Sequence, residues 1–492
     1  MSTDTFDIAV IGAGFGGLAT AVRGIELGAR VLLIERLTYP GGCASTFTRG
    51  GQHFESGATL FSGFARGQIF QRWIETHALD VAVHIPNPMV RFRSPHVNLD
   101  LGGSQRALVE SFMALYPDSR EGIARFFAWQ STIADTLWSL FDEPALLPPF
   151  GAAALFKHFA RAPRYLPLAR IVGTSLLQQM ERFSVAHLPA LRQYADAVSQ
   201  ISVQASAAEA EAPFALATLD YFFRGTGHVQ GGIGVLAQAL AGVVSRGGGA
   251  VHFGERALRV TRRQEGFVIA TSKGSYAAER VALNLTPAVA ADMLGVPEHP
   301  ALAALSRKVD AGWGAVMAYF TVPRDANLLP HAHHLQLIDD PARPFVEGNH
   351  VFCSVSDCEE TERAQGARTV TMSTHVALTR LRDANDRAAL VNAIQADMWR
   401  TLTLRAPELA AHASLPMPGS PRTFARFTGR QGGAVGGIPR RVGLSHYSAL
   451  GLCEPMKNAW LIGDSVGLGQ STLATALSGV KLAEAMAKRG GR

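Results

Sequence analysis

The chain has little of what would place it in several large classes of protein. Its 492 residues include 4 cysteines, Cys43, Cys353, Cys358 and Cys453, of which only Cys353 and Cys358 stand close, as a C-x4-C pair. With no second pair at zinc-finger spacing, a structural zinc is not expected. No apolar run reaches the roughly 18 residues of a spanning helix, so a membrane contact is a surface contact. Charged residues make up 17% of the chain, with a formal net charge of +6 and a pI near 9.3. No Lys or Arg run is interleaved with aromatics, so nucleic acid is not an expected partner, whereas an anionic membrane surface is compatible with the mild basicity. A Ser-His-Asp set is also missing, which removes triad hydrolysis. The first strand begins almost at the N-terminus, and the expectation from this is a cytoplasmic chain without a signal peptide.

Apolar residues and glycine are abundant. The chain is 47% hydrophobic, enough for a large core in two or three subdomains, and it holds 49 glycines. The stretch DIAVIGAGFGGLATAVRGIELGARVLLIE, from Asp7 to Glu35, predicts a strand over Ile8 to Ile11, a G-x-G-x-x-G turn at Gly12, Gly14 and Gly17, a helix over Leu18 to Leu27, and a strand over Val31 to Ile34. Such glycines allow a tight turn, close approach of backbone to a pyrophosphate, and close helix-strand packing, with the phosphates on the helix N-terminus. Glu35 accepts from ribose hydroxyls and repels a 2'-phosphate, which leaves FAD or NAD and excludes NADP.

Between the ends of the chain the text is less specific. Tyr39 to Phe64 is a Gly-, Ser- and Thr-rich loop that can lay backbone N–H groups along a cofactor. Gly103 to Ser199 reads as helical, punctuated by Pro144, Pro148, Pro149, Pro163 and Pro167. Inside it, Pro144 to Met180 has no acid but carries Lys157, Arg161, Arg164 and Arg170 among leucines and phenylalanines. That is the pattern of an interfacial helix on anionic lipid, and equally of a buried helical hairpin. Gly232, Gly234 and Ala237 mimic a second dinucleotide turn, but no apolar strand is expected before them and no acid follows at the right distance, so a separate NAD domain is not expected. Gly266 to Asn284 and Ala315 to Val376 read as sheet, with His331, His333 and His334 in a solvated Pro-flanked loop, not a metal site. Ala388 to Leu404 reads as a helix.

The C-terminal segment NAWLIGDSVGLGQSTLATALSGVKLAEAMAKR decides the cofactor. It predicts a strand over Trp460 to Ile462, a turn at Gly463 and Asp464, and a helix over Leu473 to Lys488. An Asp after a strand accepts from ribityl hydroxyls, and a helix N-terminus beyond it favours an anionic reduced flavin, an arrangement an NAD domain does not use. The phrases GAGFGGL, PGGCASTF, HFESGA, GHVQGGIGVLAQAL, PRTFARFTGRQGGAVGG and WLIGDSVGLGQSTLATALSG together resemble the FAD-dependent carotenoid desaturase and isomerase family of amine-oxidase-like flavoproteins, closest to its carotenoid isomerase and 3',4'-desaturase branch.

The resemblance implies an α/β fold: a discontinuous Rossmann-like FAD-binding domain in three parts (residues 1–100, 226–300 and 426–492), a helical cap at 101–225 and a mixed-sheet substrate domain at 301–425. Carried onto this sequence, it implies that Gly12, Gly14, Phe15, Gly16 and Gly17 hold pyrophosphate, and that Glu35 and Arg36 lie at the adenosine ribose. Gly41, Gly42, Cys43, Ala44 and Ser45 form the entry loop to the isoalloxazine. Ala257 faces adenine, Asn284 lies in the cofactor shell, Gly463 and Asp464 meet ribityl or pyrophosphate, and Thr472, Leu473 and Ala474 meet the flavin ring. It further implies a long apolar polyene or isoprenoid substrate, a peripheral position on the membrane, and oxygen or a quinone as electron acceptor. Gly42-Cys43, where the family more often has Gly-Arg, argues against the monoamine oxidase branch. The expected chemistry is desaturation by hydride transfer to flavin N5, with cis-trans isomerisation or saturation of a double bond as alternatives, an amine-oxidase-like enzyme or a non-enzymatic prenyl-lipid binding protein as further ones, and no catalytic protein residue is assigned.

Overall fold

A computed structural model describes residues 5–489 apart from 58, 149, 325, 327 and 361–365; Ala58 and Pro149, both noted in the sequence, lie outside the described residues. Thr5–Ile11 is a strand, Phe15–Glu26 a helix and Val31–Ile34 the next strand, with Ile8 opposite Val31 and Ile11 opposite Ile34 in parallel register. Every residue of Val31–Ile34 is buried, as a parallel strand covered on both faces requires. Ser275–Leu283 runs parallel on the other side of Thr5–Ile11, and Ala459–Leu461 runs parallel beyond it. This brings the two ends of the chain into one sheet, which has eight strands among the described residues. The strand Phe267–Thr271 hangs antiparallel from Ser275–Leu283 and carries Ala257–Arg262 at the sheet's end.

Three helices cover one face of this sheet: Phe15–Glu26, Ile233–Arg246 and Thr472–Arg489. Leu18, Val22, Leu236, Leu240 and Leu477 pack there on Val10 and Leu33, and each such side chain contributes about 1.5–3 kcal/mol by leaving water. The first and last helices touch backbone to backbone. Thr20 Oγ1 donates to Gly16 O at 2.9 Å and reaches Gly479 O at 3.2 Å. A Cβ on Gly479 would overlap Gly16 O.

The second sheet is mostly antiparallel, in the order Ser414–Gly419, Trp313–Pro323, Ala367–Ala377, His350–Val355, His333–Ile338, Val90–Arg93, Asn98–Leu101, with Ala434–Val435 beside Trp313–Pro323. The hairpin from Val90 to Leu101 therefore joins a sheet built otherwise from residues far along the chain. The expectation of a solvated loop at His331 to His334 is overturned here. His333 and His334 begin a strand and are 1% and 3% exposed. His334 lies opposite both Val90 and Ser354, and its Nδ1 is 2.6 Å from Ser354 Oγ. Burial pushes the His333 imidazole down to about 4 and holds that of His334 well below its ordinary value, so both are neutral sheet residues. The nearby Pro330 and the polar side chains conceal the strand from a reading based on periodicity.

The region between Gln105 and Thr218 is helical, with the helices Gln105–Leu115, Arg120–Asp142, Ala152–Ala169, Leu176–Arg182, Pro189–Ser202 and Ala212–Thr218. Phe112, Phe126, Leu176, Leu191, Tyr194 and Leu216 form its core. Pro144 opens a single 3-10 turn, but Ala152–Ala169 continues through Pro163 and Pro167.

Candidate functional site

The glycine turn is closed so tightly that its neighbours dictate its sequence. Gly12 has φ +96°, in the region that side chains avoid. A Cβ on Gly17 would overlap Gly12 O. Asn284 fills the crook of the turn: its main-chain N–H donates to Ile11 O at 2.9 Å and its Nδ2 donates to Gly12 O at 3.3 Å. A Cβ on Gly14 would come within 2.8 Å of Asn284 Nδ2, and one on Gly16 or Gly463 within 3.0 Å of Asn284 Oδ1. One side chain thus clamps the first turn to the C-terminal one.

Two helices begin at glycine turns, and they differ in what their N-termini face. Phe15–Glu26 starts at Gly14 with no side-chain cap, so its leading N–H groups and positive dipole end point into a cavity. Ile233–Arg246 also starts at a glycine, but Glu55 Oε1 accepts from Ile233 N–H at 2.8 Å and Thr46 Oγ1 accepts from Gly234 N–H at 2.9 Å. That second helix end is already filled by protein, the physical reason the Gly232 mimic is no phosphate site. The short strand that precedes it, Thr226–Val229, is not an apolar one, and it belongs to a small three-stranded sheet and not to the nucleotide-type sheet.

Glu35 is buried and already accepts from Ala13 N–H and Leu37 N–H, both at 2.8 Å. Burial raises its pKa against the pull of those N–H groups, and each oxygen keeps a lone pair to offer. Arg36 reaches over to Arg426 O at 3.0 Å. Gly41 and Gly42 both have positive φ, and Gly41 N–H donates to Ala13 O at 2.8 Å, which folds the entry loop onto the turn. Burial pushes the Cys43 thiol up. Asp464 accepts from Arg430 Nη2 at 2.8 Å. Thr472, at the start of the last helix, has a buried Oγ1 with no partner.

These groups surround one cavity of about 1350 Å³, larger than the roughly 300–1,000 Å³ of an ordinary small-molecule site. All the residues expected at the cofactor line it except Gly17, Ser45 and Leu473, which stand behind the wall. Ala257 lines it with Leu258 and Met293. From the turn the cavity extends under the helical region to Leu146, Leu147 and Phe150, with Phe352 and His375 of the second sheet on another side. Sequence reasoning missed His350, His375, Arg430 and Arg440 in this wall. His375 Nδ1 is 3.2 Å from Gln200 Nε2, His350 Nε2 is unpartnered, and burial pushes their pKa values down to about 4 and about 3. No periodicity marks such residues: His350 and His375 lie in strands, and Arg430 and Arg440 lie outside helix and strand. Among the described residues no group of three or more His, Cys, Asp or Glu is placed to hold a metal.

An uncapped helix end over a glycine-rich turn, a buried carboxylate at the end of the next strand and an orphaned hydroxyl at a second helix end fit FAD. Residues 15–398 match the flavin containing amine oxidoreductase family, and the chain belongs to that family. It is an FAD-dependent oxidoreductase. It is 24% identical over 508 residues to prolycopene isomerase 1 of an Oncidium hybrid cultivar, across 98% of this chain and 84% of that protein. A phytoene desaturase (neurosporene-forming) of Rhodobacter capsulatus is 49% identical over 51 residues, 10% of each chain. Among solved structures, an oxidoreductase from Methanosarcina mazei superposes with a TM-score of 0.65 at 18% identity, covering 97% of this chain and 100% of that one, a likeness of fold.

Proposed function

We propose that the chain acts on the carbon-carbon bonds of a long apolar polyene, as a desaturase of the carotenoid type. The observation that carries this reading is the course of the cavity, which leads from the glycine turn to the helix Ala152–Ala169. On that helix and just before it, Phe150, Leu155, Phe156, Phe159 and Leu166 are exposed, Phe156 by 75% and Phe159 by 81%. A contiguous exposed apolar face at the mouth of a lipid-sized cavity is a membrane-contact surface. Lys157 and Arg161 both pair with Glu143, just ahead of the acid-free stretch, whereas Arg164 and Arg170 have no ion pair among the described residues and face outward to anionic headgroups. No helix of the described residues is long and apolar enough to cross a membrane. The enzyme lies on the surface and draws its substrate from it.

In this reading Gly12, Gly14 and Gly16 carry the pyrophosphate on the helix N-terminus, and Glu35 takes the adenosine ribose with its free lone pairs. Asp464, fixed by Arg430, takes a ribityl hydroxyl, and Thr472 Oγ1 gains the partner it lacks. When bound, the flavin would supply the two-electron oxidising capacity for a desaturation, in which a hydride and a proton leave neighbouring carbons and the double bond forms between them. The protein orients an extended chain against it in an apolar chamber and excludes water. His375 and His350 are neutral there, so they add no charge to compete with a developing cation.

Cis-trans isomerisation is a second reading, favoured by the length of the match to a prolycopene isomerase. Incubating FAD-loaded protein with acyclic polyenes in liposomes, and separating the products by chromatography, divides the two. A lengthened chromophore identifies desaturation. An altered cis-trans pattern at constant oxidation state contradicts it.

A further inference from the structure

Two arginines, Arg368 and Arg440, are buried near the chamber or the second sheet and a third, Arg430, is partly buried; Arg368 and Arg430 are accounted for by their surroundings. Arg368 donates to the carbonyls of Ser356, Leu329 and His331. Arg430 pairs with Asp464. Arg440, 5% exposed, has no carboxylate within ion-pair distance among the described residues. Its Nη1 donates to His446 O and its Nη2 to Gly467 O, both at 3.2 Å. Its guanidinium lies 5.3 Å from the centre of the Phe214 ring and lines the chamber with Ile438, Leu450 and Leu468. The nearby acid, Glu211, is committed elsewhere: it accepts from Gly173 N–H, Gly443 N–H and Tyr447 OH.

An unpaired guanidinium in an apolar wall is costly unless something arrives to balance it. Burial lowers the Arg440 pKa to about 10, which leaves it charged at neutral pH. Its backbone is tied to the helical region, N–H to Val203 O and C=O from Glu211 N–H, both at 2.9 Å. It therefore sits where the cap meets the chamber and not at the glycine turn where the pyrophosphate is proposed. A planar guanidinium matches a carboxylate in two-point geometry.

We propose that Arg440 is the anchor of an anion subsite in the chamber, which takes the carboxylate of a long, otherwise apolar acid. This rests on the reading of the chamber as a lipid site and narrows the substrate class to polyenes with an acidic end group. A hydrocarbon would leave the cation unbalanced.

The test is equilibrium binding to the FAD-loaded protein, followed by quenching of flavin fluorescence, with a polyene carboxylic acid, its methyl ester, a polyene hydrocarbon of matched length and a saturated long-chain acid. Wild-type protein is expected to prefer acid to ester by about tenfold or more, the effect of charged hydrogen bonds. Arg440→Gln is expected to bring that ratio to about one, and Arg440→Lys to retain part of it, with FAD affinity unchanged in both. Equal affinity of the wild-type protein for acid and ester overturns the proposal without recourse to any variant. So does an Arg440→Gln protein that loses FAD and keeps its acid preference, because the cation then serves the flavin. Binding of the hydrocarbon with no preference for the acid removes the anion subsite and leaves the polyene reading intact. Arg440-dependent binding of the saturated acid alone removes the polyene reading and leaves the subsite.

Discussion

The turn at Gly12 to Gly17 and the helix Ala152–Ala169 both contribute to the wall of one cavity and are built on opposite rules. At the turn no added carbon fits at Gly14 or Gly17, and Asn284 closes the space from behind. On the helix, large aromatic side chains are left in the open with no protein to cover them. A cofactor that stays bound needs a rigid cradle, and rigidity comes from contacts that admit no alternative packing. A lipid that must come and go needs a surface that gains by leaving water when a membrane is present.

The largest effect is expected from breaking the tight end. Gly17→Ala drives a methyl into Gly12 O, and the protein should purify without flavin or fail to fold, as absorbance of the purified protein will show. Next comes the filled helix end that contrasts with the open one. Burial pushes Glu55 up from 4.5 to about 7, against the lowering pull of Ile233 N–H. The folded chain thus holds this proton more tightly than the unfolded chain. The stabilisation is complete below pH 4.5 and is lost as pH rises through about 7. Across that window wild-type protein should lose up to about 3 kcal/mol relative to Glu55→Gln in denaturant unfolding; parallel pH profiles of the two proteins would refute this.

Asn284→Ala removes the clamp without adding bulk. It should cost about 1–3 kcal/mol, with weaker FAD retention measured by dialysis. The smallest effect on folding is expected at the open end. Phe156→Ser with Phe159→Ser should change stability by no more than about 0.5 kcal/mol, yet weaken sedimentation with anionic liposomes by about tenfold or more. If the double variant binds liposomes as wild type does, the contrast between the two ends does not extend to membrane contact.

The tight end was legible in the sequence because its requirements are local. Spacing of glycines after an apolar strand, with an acid at the end of the next, follows from sterics within about thirty residues. The C-terminal strand, turn and helix are legible for the same reason. The strand at His333–Ile338 was not, since its burial depends on Val90–Arg93 and His350–Val355, segments that no window around it contains. The pairing of Asp464 with Arg430 and the isolation of Arg440 were hidden likewise. A buried charge takes its meaning from what stands opposite, and that is set by tertiary structure. The acid-free basic stretch is ambiguous in sequence between an interfacial helix and a buried hairpin, because the exposure of Phe150, Phe156 and Phe159 is set by packing with distant segments.

In the proposed function one cavity brings a polyene from the exposed helix to a flavin at the glycine turn. Anaerobic mixing of the FAD-loaded protein with an acyclic polyene in liposomes tests it directly, by following the visible flavin band alongside the polyene spectrum in a single turnover. One flavin bleached for each double bond formed, with the polyene absorption moving to longer wavelength, is the predicted result. A flavin band that stays oxidised while bound polyene is unchanged, or is converted only between cis and trans forms, contradicts it.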